Sequence, residues 1–412
     1  MIVSIISNTF SKNEGGAAGI AYQQAVELQK RGHDVFIFSG TMDKDLGWQE
    51  EGGIKIYKIK NKEYRHITRS YLCLYNLRVQ REFRRFLDKV KPGVVHFHNL
   101  YYHLPFSLIK IAKKYSDKVF FTTHDVMTFS PNKLNHFVNE NYNLDNINNI
   151  KYKLSRQKQI KRSGKAYNPF RNFFIKQNLF LIKKIFSVSE ELRRALGQNT
   201  IKNIQTINNG ININDWIFDR EKVEEIKKQK NLLNKKIILF AGRLSSLKGG
   251  EVIVRVMKKV TEDVPNAVLF VLGDKNDYVR NLEKFIKKEG LENNIILNGG
   301  VPRTEMKFYY GLSDIVVIPS IYLDPFPTIS LEAMACKKPV VATVFGGSRE
   351  AIKDGLNGYV VNPLNIDLMS EKIIYLLKNP AIAEEMGKAG FKRVKEKFST
   401  EEWIDKMLSF YN

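Results

Sequence analysis

The sequence predicts an α/β protein built from two doubly wound parallel sheets. Short β-branched runs alternate with helical stretches along the whole chain. Most of those runs are apolar throughout rather than at every second position, as expected where helices cover both faces of a sheet. A length of 412 residues also exceeds what one ordinary hydrophobic core organises.

In the first half, strands are expected at Ile2–Ser7, Val35–Phe38, Val94–Phe97, Val119–Thr123, Ile185–Val188 and Gln205–Ile207. The helix between the first two should begin near Gly19 and stop at Gly32, a natural C-terminal cap. In the second half they are expected at Ile237–Ala241, Val268–Leu272, Ile295–Leu297, Ile315–Ile318, Val340–Ala342 and Tyr359–Val361. Asn209–Gly210 and the charged helix near Arg220 bracket the boundary, which divides the chain into domains 1–215 and 216–396. A last helix within 397–412 carries Trp403, Phe410 and Tyr411 and is expected to pack back on the first domain. No solenoid-type repeat is present.

Composition narrows the class. A hydrophobic fraction of 43% excludes a largely disordered chain. No apolar run approaches the ~20 residues that span a bilayer. The N-terminus lacks a basic residue before Lys12, so no secretory leader is expected, and a cytoplasmic location follows. Two cysteines, Cys73 and Cys336, are too few for a disulfide framework or a thiolate metal site. The net charge of +23 is uneven: residues 1–217 carry +18 and the remainder +5. The first half therefore attracts an anionic partner. Residues 151–184 hold eleven Lys/Arg and no Asp or Glu, interleaved with Tyr152, Tyr167, Phe170, Phe173, Phe174 and Phe180. A second basic run, Lys55–Lys91, has twelve Lys/Arg against three acids. Such interleaving suits a lipid headgroup layer or single-stranded nucleic acid, and composition does not choose between them.

Three stretches carry chemistry. Gly15-Gly-Ala-Ala-Gly19 follows the first strand and opens a helix, where small residues let backbone amides approach an anion. It is not G-x-G-x-x-G, and Phe38-Ser39-Gly40 stands where a dinucleotide site needs an acid. Phe240-Ala-Gly-Arg-Leu-Ser-Ser-Leu-Lys-Gly249 places Arg243 and Lys248 on one loop at a helix start, a guanidinium fork and a compact ammonium suited to a diphosphate. From Pro319 to Pro339, Asp324 and Glu332 lie eight apart across a loop running into a helix. A carboxylate there can accept both hydrogens of a ribose diol; as a pair, the acids would also suit glycoside hydrolysis. The competing structural reading of Glu332 is a helix-start acid favoured by the dipole.

Taken together these residues resemble the retaining glycosyltransferases of family 4, which have the GT-B fold: two Rossmann-like domains facing across a cleft. The resemblance covers nearly the whole chain. Its marks are "GRLSSLKGG", "VLGD", "LNGGVPRTEMKFYYGLSDIVVIPS", "DPFPTISLEAMACKKPVVAT" and "GGSREAIKDGLNGYVVNP", preceded by "GGAAGIAYQQAVELQKRGHDV", "VVHFHN", "TTHD" and "SVSEELRRAL". It implies a diphosphate clamp at Arg243 and Lys248, and a nucleotide ribose held by Glu332. Gly16 matches the glycine loop directed at the phosphates, and His124 a histidine that contacts the donor sugar. Gly300 and Val301 match the backbone beside the base. His96 and His98 read as structural. There are two departures. Asp324 stands where the family usually has Glu, one methylene longer, and Pro327 where glycine is common. Proline has no N–H to donate, so donor contacts there fall to the amides of Thr328 and Ile329.

The resemblance implies transfer of a sugar from a UDP- or GDP-linked donor to an acceptor. The residues assigned to catalysis are His124, Arg243, Lys248 and Asp324. No metal or other cofactor is expected, since no Asp-x-Asp stands where it would hold one beside the phosphates. A lipid-linked or cell-surface polysaccharide precursor is the expected acceptor. An anionic membrane surface, reached peripherally from the cytoplasm, is the expected partner, rather than nucleic acid. The Lys-, Asn- and Ile-rich composition points to a bacterial coding sequence. The competing readings are a non-catalytic basic lipid- or nucleic-acid-binding protein, a GT-B phosphorylase or epimerase, and a hydrolase using the carboxylates.

Overall fold

The structure, a computed structural model, describes residues 1–42, 44–61, 66–101, 103–273 and 276–412. By its contacts the chain forms two units. The first comprises 1–134, 151–209 and 400–412, the second 135–150 and 210–399.

The first unit is built on an eight-stranded sheet. Its strands are β1 (Ile2–Ser7), β2 (Asp34–Thr41), β3 (Gly47–Glu51), β4 (Ile54–Lys60), β5 (Val94–His98), β6 (Lys118–Thr123), β7 (Lys184–Ser187) and β8 (Ile204–Thr206). They run in the order β3-β4-β2-β1-β5-β6-β7-β8, parallel except where β3 pairs antiparallel with β4. Six of the eight match the expected strands. The β3–β4 hairpin is not among the expected strands, because its two strands are charged and split by Gly52-Gly53, so they lack the uniformly apolar signature of buried parallel strands. Side chains alternate across the sheet. Val3, Ile5 and Ile37 pack under the helices Gly16–Lys30 and Thr400–Tyr411, whose Ile20, Ala21, Leu28, Trp403, Ile404 and Met407 complete that core. On the opposite face Phe38 meets Phe83 of the helix Leu77–Val90 with ring centroids 5.0 Å apart. The first helix starts at Gly16, three residues earlier than its sequence suggests, and ends as expected, with Gly32 at φ +77°.

The second unit has six strands, β9 (Lys236–Ala241), β10 (Ala267–Leu272), β11 (Ile295–Gly299), β12 (Ile315–Ile318), β13 (Val340–Thr343) and β14 (Gly358–Val361), all parallel in the order β11-β10-β9-β12-β13-β14. All six overlap the expected strands. Segment 135–150, interposed in the first half of the sequence, belongs to this unit. The Asn362 amide donates to the carbonyls of Asn139, Glu140 and Tyr142 at 2.8–3.2 Å, and the Phe137 ring lies 5.9 Å from that of Phe345. Among the described residues no helix is long and apolar enough to cross a membrane.

Candidate active site

In the second unit the chain leaves β9 for β10 on one side and later returns to β12 on the other. The loops after β9 and β12 therefore share the carboxyl-end crevice where open α/β sheets bind ligands. The two loops are joined directly: Ile321 N–H donates to Leu247 C=O at 2.9 Å. Ser245 Oγ accepts from Lys248 N–H at 3.3 Å and closes a tight turn over Ser246–Lys248. Gly249, at φ +82°, then swings the chain into the helix Gly250–Asp263. A Cβ at Gly249 would stand 2.0 Å from the Pro319 carbonyl oxygen, so only glycine fits.

This geometry brings Lys248 to Asp324 across 76 residues. Lys248 Nζ donates to Asp324 Oδ2 at 2.7 Å, Ser320 Oγ donates to the same oxygen at 2.8 Å, and Nζ sits 5.3 Å from the Tyr322 ring centre. Burial opposes both charges, yet the pairing wins. The Asp324 carboxyl is held below its ordinary range by the ammonium, and the Lys248 ammonium is held above its own by the carboxylate. Asp324 is therefore an anchor for Lys248. Arg243, on the same loop, is exposed and has no carboxylate partner among the described residues.

Glu332 lies inside the helix Thr328–Ala335, only 2% exposed. Tyr310 OH donates to its Oε2 at 2.7 Å, and Arg303 Nη2 stands 3.0 Å from Oε1. The carboxylate raises the Arg303 pKa, while burial and then the carboxylate push the Tyr310 phenol well up. Arg303 in turn stacks over Trp216 at 5.3 Å. The sequence reading found Glu332 but not Arg303, Tyr310 or Trp216, which lie far from it in the chain. Thr328 and Ile329, half-buried, form the first turn of that helix, where amides lack intrahelical acceptors. Ile329 Cδ1 lies 3.4 Å from where a Cβ on Gly242 would stand, so this helix start adjoins the β9 loop. Gly300 is exposed and Val301 half-buried in the loop after β11. The Asp274 of the Val-Leu-Gly-Asp motif lies outside the described residues.

In the first unit β1 leads to β2 on one side while β5 flanks it on the other, a second switch point. Gly16, at φ +65°, opens the helix after β1, a backbone conformation that side chains disfavour. His124 follows β6. Its backbone N–H donates to Asn99 Oδ1 at 3.0 Å, and its Nε2 lies 2.9 Å from His98 Nδ1. Burial pushes the His124 imidazole down to about 3. Beside it, burial pushes the Asp125 carboxyl up to about 6, against the hydrogen bonds from Met127 N–H and Asn99 Nδ2. Among the described residues no three His, Cys, Asp or Glu side chains come together as metal ligands.

Two family models match in sequence order, Glycosyltransferase Family 4 over residues 14–215 and Glycosyl transferases group 1 over 222–393. The chain belongs to the family 4 glycosyltransferases, with the GT-B fold. An uncharacterized glycosyltransferase of Methanocaldococcus jannaschii is 33% identical over 238 residues, 55% of this chain and 59% of that protein. The matched part spans about half the length of such curated relatives. Sucrose-phosphate synthase from Thermosynechococcus elongatus superposes with TM-score 0.77 at 20% identity, covering 100% of this chain and 98% of that one. A point mutant of S. aureus TarM, solved with fondaparinux, alpha-GlcNAc-glycerol and UDP, gives TM-score 0.69 at 16% identity over 100% of both chains.

Proposed function

We propose that the protein transfers a sugar, with retention, from a nucleoside-diphosphate sugar to a glycan or lipid-linked acceptor such as a polysaccharide precursor. The observation that carries this reading is the presence of an exposed Arg243, without a carboxylate partner among the described residues, and the anchored Lys248 on one loop beside the start of the helix Thr328–Ala335. As the bond from the anomeric carbon to the β-phosphate oxygen breaks, negative charge grows on the leaving diphosphate. Arg243, Lys248 and the amides of Thr328 and Ile329 stabilise that charge more in the transition state than in the ground state. The acceptor oxygen attacks the anomeric carbon from the same face and its proton passes to the departing phosphate oxygen, so no covalent nucleophile takes part, and Arg243 and Lys248 supply the positive charge at the diphosphate. Glu332 holds the ribose and His124 meets the sugar. The donor is UDP- or GDP-linked: the TarM structure holds UDP, while a 25% identical relative from Mycolicibacterium smegmatis is named as GDP-mannose-dependent.

An anionic membrane surface is the proposed site of action, at the cytoplasmic face. It is supported by the +18 carried by residues 1–217 and by the rings of Phe170 and Phe173, 71% and 66% exposed within the acid-free stretch.

A thermal-shift screen of UDP, GDP and their sugars tests the donor reading. A true donor nucleotide at 100 times its Kd should add about 2.7 kcal/mol of stability. No shift with any nucleoside diphosphate overturns it.

A further inference from the structure

His96 and His98 do more than fill the core. With His124 they form a row of imidazoles, the first pair 4.8 Å and the second 5.2 Å apart between ring centres, their planes inclined by 22° and 20°. Strand alternation sets it up: His96 and His98 face the same side of β5, beneath the helix that carries Gln24. Gln24, His96 and His98 are fully buried, and His124 alone is half-buried. Burial first, and the neighbouring imidazoles second, keep His96 and His98 neutral, so each ring has one N–H to give.

Each polar atom of the two buried rings has a partner, and one amide stands between them. Gln24 Oε1 lies 2.5 Å from His98 Nε2, while Gln24 Nε2 lies 2.7 Å from Tyr411 OH and 3.3 Å from His96 Nδ1. Tyr411 OH also contacts His96 Nδ1, and His96 Nε2 lies 2.7 Å from Thr122 Oγ1. An amide has one accepting end and one donating end, so its orientation sets the direction of every bond. Gln24 Oε1 accepts from His98 Nε2–H, which leaves His98 Nδ1 as an acceptor. His98 Nδ1 can then only accept, and it does so from His124 Nε2–H at 2.9 Å. On the other arm Gln24 Nε2 donates to Tyr411, whose hydroxyl donates to His96.

We infer that Gln24 and His98 are positioning residues that fix His124 as the Nε2–H tautomer. Its Nδ1 is thereby a bare lone pair, without a partner among the described residues. The inference rests on the proposed sugar contact of His124 and sharpens it: His124 accepts a hydrogen bond from a sugar hydroxyl and does not donate one to a phosphate oxygen. A ring held neutral by burial supplies no cation to a diphosphate, whose charge falls to Arg243 and Lys248. A donor sugar lacking the matching hydroxyl loses that bond.

The test begins with nitrogen NMR of the histidine-labelled full chain, which needs no turnover. The His124 Nδ1 should show the unprotonated, imine-type signal and Nε2 the protonated one. In Gln24→Met, with fold checked by circular dichroism, the His124 tautomers should mix. In that variant kcat for transfer should fall about tenfold, the loss of one oriented hydrogen bond, while the Kd for UDP stays within twofold. A protonated Nδ1 in the unmodified protein overturns the inference, as does a Gln24→Met variant with unchanged tautomer and kcat. If transfer is absent with every donor while the tautomer is as stated, the sugar role of His124 fails but the relay stands.

Discussion

Lys248 holds a buried carboxylate in place and so offers a diphosphate a shared charge, whereas Arg243 offers its whole charge. The two residues should therefore fail differently. Arg243→Ala should leave stability within about 0.5 kcal/mol, because the side chain is exposed and has no carboxylate partner among the described residues. It should nonetheless lose about 1.5–3 kcal/mol of charge-assisted hydrogen bonding, roughly 10- to 150-fold in kcat/KM. Arg243→Lys should be impaired too, since the fork is lost. Lys248→Met strands Asp324, only 4% exposed, without its cation, and should cost about 3–5 kcal/mol in urea unfolding. Adding Asp324→Asn should restore most of that stability without restoring transfer. Full activity in the double variant would remove Lys248 from the mechanism. None of this pairing was legible in the chain. The sequence assigns Asp324 to catalysis, because a family motif reports that an acid stands there but not which cation, 76 residues away, it faces.

Elements were far more legible than contacts. Twelve of the fourteen strands among the described residues coincide with expected ones, since a buried parallel strand must be apolar on both faces and thereby announces itself. The β3–β4 hairpin did not, because edge strand β3 carries Gln49, Glu50 and Glu51, and β4 sets Lys55, Lys58 and Lys60 among its apolar residues. Likewise nothing in the Asn-rich 135–150 signals that it belongs to the second unit, where three carbonyls converge on Asn362. Tyr152, one of the rings interleaved with the cations of 151–184, is fully buried and donates to Glu191. Gly249 shows how an element positions the site. A methyl group there meets Pro319 O at 2.0 Å, and φ +82° is strained for alanine. Gly249→Ala should displace the turn that carries Lys248, and a shift of about 1 Å can cost on the order of 100-fold in rate. Steady-state kinetics beside circular dichroism should show a folded protein with kcat/KM reduced on that scale. An unchanged kcat/KM would mean that the turn does not position the clamp.

At the scale of the whole molecule the charge is the feature that the fold does not require. In the acid-free stretch the structure sorts the residues. Arg162 donates to the Lys133 carbonyl and Arg171 is buried against the Met127 carbonyl, so both serve the interior. Lys158, Lys161 and Lys165 are exposed, as are Phe170 and Phe173. Asn168 Nδ2 donates to Ser70 C=O at 2.9 Å, tying Phe170 to the helix His66–Leu72, whose Ile67 and Tyr71 are also exposed. Cations around apolar rings are what an anionic headgroup layer accommodates, each cation contributing up to about 1 kcal/mol within a Debye length of roughly 8–10 Å. Sedimentation with vesicles of anionic lipid should show binding that weakens sharply as salt rises, and neutral vesicles should bind poorly. Reversing Lys158, Lys161 and Lys165 to Glu should weaken vesicle binding by about 3 kcal/mol, on the order of 100-fold, while transfer to a soluble acceptor continues. Phe170→Ser with Phe173→Ser should lower binding at high salt, where the apolar contribution is what remains. Oligonucleotides run alongside separate a lipid surface from a general polyanion: comparable affinity for both would mean that the rings do not select lipid. Absence of vesicle binding at low salt would reduce the charge to a solvated surface.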